Sequence, residues 1–85
     1  MEKELVGAIT HYFDKAGVAV VDLKAPLSIG DNIVVESADK IILEQTVKSM
    51  QVEHGSIQTA EAGTQVGLKV DGQVHAGNKV YKLTE

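Results

Sequence analysis

Cysteine and arginine are both absent from this chain, proline occurs once, at Pro26, and the aromatic side chains are two tyrosines and one phenylalanine. Without cysteine there is no disulfide framework and no thiolate metal site. Without arginine the chain lacks the planar donor fork that usually reads phosphates and bases in bidentate fashion. Twelve acidic against eight basic residues give a formal net charge of −4. The lysines (Lys3, Lys15, Lys24, Lys40, Lys48, Lys69, Lys79 and Lys82) are scattered rather than clustered. Binding that depends on neutralising phosphates is therefore disfavoured, and with it RNA as a direct partner. No apolar run approaches the ~18 residues of a membrane span, and no signal-peptide core follows Met1-Glu2-Lys3-Glu4. No membrane association and a cytoplasmic location are expected. At 85 residues the chain holds one core, so residues 1–85 are read as a single domain, with its folded part over about 5–83.

What is present is a series of short β-branched runs separated by Gly, Asp and Asn. These read as strands near 5–13, 17–24, 32–37, 40–53, 64–71 and 78–83. The one weak helix candidate, 57–62, is too short and is closed by Gly63. Val66, Leu68 and Val70 alternate with Gln65, Gly67 and Lys69, as do Ala19, Val21 and Leu23 with Val20, Asp22 and Lys24. In 40–53 the apolar set changes parity: Ile41, Leu43 and Val47 share one, Met50 and Val52 the other. That change predicts a β-bulge near Lys48-Ser49, the device barrels use to turn corners. The pairs Gly30-Asp31 and Gly77-Asn78 each follow an Ala-Gly pair (Ala16-Gly17, Ala62-Gly63) after a similar interval and each lead into a strand. Glycine supplies positive φ and the Asp or Asn side chain closes the turn, so the chain reads as two similar halves around one core.

Three ordered blocks carry a family resemblance: Val6-Gly7-Ala8-Ile9-Thr10-His11-Tyr12-Phe13, Ala16-Gly17-Val18-Ala19-Val20-Val21 and Leu27-Ser28-Ile29-Gly30-Asp31-Asn32-Ile33. The later pieces Val47-Lys48-Ser49-Met50-Gln51, Ala62-Gly63-Thr64-Gln65-Val66-Gly67-Leu68 and Gly77-Asn78-Lys79-Val80-Tyr81 follow in the same order. Together they resemble the second-domain barrel of translational GTPases of the elongation factor Tu class, over roughly 5–83. Gly77-Asn78 replaces the family's usual Gly-Asp with the turn chemistry kept. The small free-standing translation elongation factor-like proteins are similar, and so is the C-terminal barrel of bacterial collagenase-like peptidases, through the His-Tyr-Phe and Ser-Met-Gln segments. The resemblance implies an all-β fold, a closed six- to seven-stranded antiparallel Greek-key barrel of the translational GTPase domain-2 type. It implies a non-catalytic module docking on a protein or ribonucleoprotein partner. The alternative is an accessory barrel of a collagenase-like peptidase relative, used for protein interaction or substrate positioning.

GTP binding is not inherited with that resemblance, because no G-x-x-x-x-G-K-S/T loop is present, and Asn78-Lys79-Val80-Tyr81 lacks the aspartate of a guanine-reading motif. No catalytic, cofactor-binding or metal-binding residues are assigned. His11, His54 and His75 show no ligand spacing. Ser28, Ser37, Ser49 and Ser56 lack a nucleophile elbow. The carboxylate pairs Glu36 with Asp39 and Glu44 with Glu53 read as solvated. A protein partner is expected, and the candidate surface is Tyr12, Val18 and Val20. Regular alternation in the first strand places Phe13 in the core and Tyr12 outside, beside the two valines.

Overall fold

The computed structural model describes residues 2–53 and 55–84. Its elements are β1 (Glu2–Phe13), β2 (Val18–Leu23), β3 (Leu27–Ser28), β4 (Asn32–Ser37), β5 (Lys40–Thr46), β6 (Met50–Val52), β7 (Gly55–Ile57), β8 (Thr59–Ala60), β9 (Gln65–Lys69) and β10 (Lys79–Thr84). The fold is all-β, and no helix forms among the described residues. Strands β7 and β8 occupy the one stretch where a helical turn was conceivable. The main sheet runs β5-β4-β10-β1-β2-β9-β6-β7, and β3 pairs with β8 in a small second sheet. Every pairing is antiparallel.

The core is aliphatic. Val6, Ile9, Ala19, Val21, Leu23, Leu27, Ile33, Val35, Val47, Met50, Val66, Leu68, Val74 and Val80 are buried in one cluster, against which Tyr12, Leu43, Val52 and Ile57 pack. Alternation in β2 and β9 follows the expected parity, with Ala19, Val21, Leu23, Val66 and Leu68 inside.

The expected closed barrel of six to seven strands is corrected by the ladders. The sheet is open, ending at β5 on one side and β7 on the other, among ten strands in all. The reason lies in 40–53. Instead of one bulged strand, the segment breaks at Val47–Ser49 between β5 and β6. The Val47 backbone leaves the ladder to bond the 28–31 turn: its N–H donates to the Asp31 carbonyl at 2.8 Å, and its carbonyl accepts from the Gly30 N–H at 3.0 Å. β5 thus stays with β4 while β6 turns to β9. Ladder bulges fall elsewhere, at Leu5/Gly7, Ile9/His11 and Val35/Glu36. The last leaves Ile42 unpaired and places Ile41, expected inside, at 60% exposure.

The two Gly-Asp and Gly-Asn turns share one geometry. Gly30 and Gly77 sit at φ 96° and 95°. In each turn the fourth residue's N–H donates to the first residue's carbonyl, Asp31 to Ser28 and Asn78 to His75, at 3.1 Å. Its side chain accepts in return from the first residue's N–H, at 2.9 Å for Ser28–Asp31 and 2.8 Å for His75–Asn78. The second turn also grips a strand as the first grips Val47: the Ile9 N–H donates to the Asn78 carbonyl at 2.8 Å, and the Gly77 N–H to the Ile9 carbonyl at 2.7 Å. Each half's turn therefore holds the other half's strand at the point where that strand leaves regular pairing. Asn78 is the one buried polar side chain among the described residues. Asn78→Ala is expected to cost about 1–2 kcal/mol by orphaning the His75 N–H, and Asn78→Asp, with the acceptor kept, less. Urea unfolding midpoints check this, and equal midpoints for Asn78→Ala and wild type would refute it.

The β4–β5 hairpin turns through Ala38 and Asp39 at φ 50° and 69°, between the paired residues Ser37 and Lys40. Positive φ at both central residues is the I′ geometry for which Asn-Gly is the preferred pair. The double substitution Ala38→Asn, Asp39→Gly is expected to stabilise by about 1 kcal/mol, raising the melting temperature by roughly 4–8 °C. An unchanged or lowered melting temperature would count against this reading of the turn.

Candidate functional site

The face expected to meet a partner is built where β1, β2 and β9 run side by side. Beyond the bulge at Thr10, β1 pairs His11 with Val20, Tyr12 with Ala19 and Phe13 with Val18. Ala19 is fully buried, so Tyr12 opposite it points inward and packs on the core. Phe13 points outward at 51% exposure. The expectation of Phe13 inside and Tyr12 outside is thus reversed, because one inserted residue exchanges the two faces of a strand. Val18 and Val20 remain on the outer face, half-buried, and there Phe13 and His11 take the place assigned to Tyr12. The His11 and Phe13 rings lie 4.3 Å apart at 55°. The Thr10 hydroxyl donates to the Val20 carbonyl at 3.3 Å, tying the bulge to β2. The result is a small apolar strip without converging polar groups.

A second concavity, of about 200 Å³, lies between the β4–β5 turn and β10, lined by Glu36, Ala38, Asp39, Gly77, Lys79 and Tyr81. The Lys3 ammonium donates to the Glu36 carboxylate and stands 4.7 Å from the Tyr81 ring centre. The hydrogen bond to Glu36 is the main cause that raises the Lys3 pKa above its ordinary value. Here the fold does bring together Glu36 and Asp39, a pair read as solvated. Glu36 is neutralised by Lys3, and no histidine, serine or threonine lines the concavity with them.

The remaining polar candidates stay apart. Among the described residues no three His, Asp or Glu side chains come close enough to share a metal ion. His75 belongs to its turn, and His54 lies outside the described residues. The Ser28 hydroxyl is 3.2 Å from that of Thr59, across the β3–β8 pair. Glu44 is exposed on β5, and Glu53 sits in the β6–β7 turn at φ 50°. Among the described residues no helix is long and apolar enough to cross a membrane.

A third feature had no signal in the sequence. The Gln45 carboxamide bridges from β5 to the chain just past β9. Its Nε2 donates to the Lys69 carbonyl at 3.0 Å, and its Oε1 accepts from the Asp71 N–H at 2.7 Å. Lys48 adds an ion pair to Asp71 at 2.9 Å. A glutamine in a strand carries no mark of such a role until both partners are in place.

With this geometry the molecule can be set beside known proteins. In fold it matches the C-terminal domain of a Geobacillus thermoleovorans protein assigned to the U32 peptidases. The TM-score is 0.86, with 20% identity over 95% of this chain and 93% of that one. Its selenomethionine variant matches at a TM-score of 0.83, with 19% identity over 91% and 96% of the two chains. In sequence the chain is 35% identical over 80 residues to an uncharacterized protease of Methanocaldococcus jannaschii. That match takes in 94% of this chain and 20% of the protease, so the chain spans one fifth of its curated relative's length. No family model matches the chain. Of the resemblances read from the sequence, the peptidase C-terminal barrel is the one these matches support, and the elongation factor Tu class draws no support from them.

Proposed function

We propose that this chain is a non-catalytic accessory domain of the U32 peptidase kind, which binds protein and leaves hydrolysis to a separate peptidase body. The observation that carries this reading is the alignment of nearly the whole chain with one fifth of a protease. The matching fold of an isolated peptidase C-terminal domain supports it. The scatter of nucleophiles, imidazoles and carboxylates over the described residues fits a domain that holds rather than cuts. The net charge of −4 without arginine speaks for a protein partner over RNA. The absence of cysteine suits the reducing cytoplasm.

The test uses the archaeal protease with its matched fifth removed. Mixed with that truncated body, the chain is expected to co-elute in gel filtration, and by itself to release no peptides from casein or gelatin. Hydrolysis by the purified chain alone would overturn the non-catalytic part. Failure to associate with the body, together with nuclease-sensitive sedimentation with ribosomes, would overturn the peptidase part in favour of translation.

A further inference from the structure

One open edge of the main sheet lies along β5, whose one strand partner among the described residues is β4. Among the described residues the β4 ladder supplies every backbone–backbone hydrogen bond to Lys40–Thr46, and the Gln45 carboxamide adds a 3.4 Å bond to the Thr46 carbonyl at the end of the strand. Such an edge presents unpaired N–H and C=O groups, and proteins usually blunt it with charge, proline or a cover. Here Ile41 and Ile42 stand on it at 60% and 39% exposure. Across the seam runs the segment from Lys69 to Asp71, and side chains join the two sides: the Gln45 carboxamide on β5 and, beyond its end, the Lys48–Asp71 ion pair. Gln45 donates to the Lys69 carbonyl and accepts from the Asp71 N–H. A carboxamide sets donor and acceptor side by side, as the N–H and C=O of one paired strand residue do. The Lys69 carbonyl and Asp71 N–H are thus already satisfied in the manner of a strand partner, by a side chain rather than by backbone.

We infer that this seam receives an extended polypeptide, which pairs with the free edge of β5 and replaces the Gln45 carboxamide at Lys69 and Asp71. The edge chemistry specifies the occupant: a row of unpaired peptide groups is completed by another extended backbone. Ile41 and Ile42 favour aliphatic side chains on that strand. Only the assignment of the occupant to an extended segment of a peptidase substrate rests on the reading above. The strand-docking geometry stands without it.

The test titrates an acetylated, amidated heptapeptide of alternating threonine and valine into the ¹⁵N-labelled chain. Saturable amide shifts are expected at 41–45 and 69–71. Gln45→Ala frees the two groups that the carboxamide occupies, so about tenfold tighter peptide binding is expected, two modest hydrogen bonds no longer having to be exchanged. Gln45→Glu, which cannot donate to the Lys69 carbonyl, guards against misfolding of the alanine variant and should lie between. Ile41→Lys should weaken binding. Shifts confined to His11 and Phe13 or to Lys79 and Tyr81, or none in any variant, would overturn the inference. Concentration-dependent shifts at 41–45 without peptide would also overturn it, by making a second copy of the chain the occupant. Peptide capture at the seam without association to the truncated protease would remove the proposed function and leave this site standing.

Discussion

Gly7→Ala is expected to abolish cooperative folding or to lower the melting temperature by roughly 15 °C or more, at about 4–8 °C for each kcal/mol in a domain of this size. A Cβ built at Gly7 lies 2.5 Å from the Asp22 carbonyl oxygen and 2.9 Å from Val21 Cγ1. The first contact is with backbone, and that backbone is held by the β1–β2 ladder on both sides, through Gly7 opposite Leu23 and Ala8 opposite Asp22. The position is also pinned from the other edge of β1. There the strand bulges between Leu5 and Gly7 against β10, while on the β2 side the Val6 carbonyl accepts from the Lys24 N–H at 2.7 Å. Relief would have to open the central strand pair, and a chain this small has only about 5–15 kcal/mol in total. Thermal unfolding followed by circular dichroism decides it. A melting temperature within ~3 °C of wild type would show that the strands can part here without cost.

Leu68→Ala carries the second large effect, about 2–5 kcal/mol from lost burial and the cavity left behind. Leu68 is fully buried and stands between Ala19 on β2 and Met50 on β6, both likewise fully buried. β6 is joined to β9 by only two residue pairs, Met50 with Leu68 and Gln51 with Gly67. Truncating Leu68 should therefore loosen the β6–β7 end of the sheet more than its β5–β4 end. Urea unfolding combined with amide hydrogen exchange separates the two effects. Faster exchange at Met50–Val52 than at Ile33–Val35 is expected. A loss below ~1 kcal/mol with uniform exchange would mean the core collapses freely around the gap.

These two sites bear on function because both hold the seam in place. β9 positions Lys69 and the chain leading to Asp71, and β1 anchors the sheet whose far end is β5. Variants meant to probe binding belong on Gln45, Ile41 or the outer strip at Phe13, whose side chains lie outside the core cluster.

How much of this was legible before folding differs from element to element. The strands at 18–23, 32–37 and 65–69 follow from short β-branched runs between turn residues, a local preference that tertiary contacts did not override. The spacing of Ile9 and Tyr12 also held information: inward residues three apart, not two, signal an extra residue between them, and the β1 bulge between Ile9 and His11 lies there, while the other falls at Val6 itself, between Leu5 and Gly7. Read as plain alternation, the same stretch sends Phe13 inward, and the candidate partner surface inherits that error. The lack of a nucleotide loop, of cysteine and of a nucleophile elbow was a property of composition and needed no coordinates.

By itself the sequence determined an all-β chain with a valine-rich core, paired Gly-Asp and Gly-Asn turns and no recognisable catalytic motif, because each of these depends on residues within a few positions of one another. Tertiary structure alone decided which face each side chain takes beyond a bulge, that the sheet stays open, and that Gln45 spans the opening to Lys69 and Asp71. Those features depend on residues about twenty-five positions apart coming to hydrogen-bonding distance (24 from Gln45 to Lys69, 26 to Asp71). Strand parity is set by the partner strand's register, and a single inserted residue reverses it.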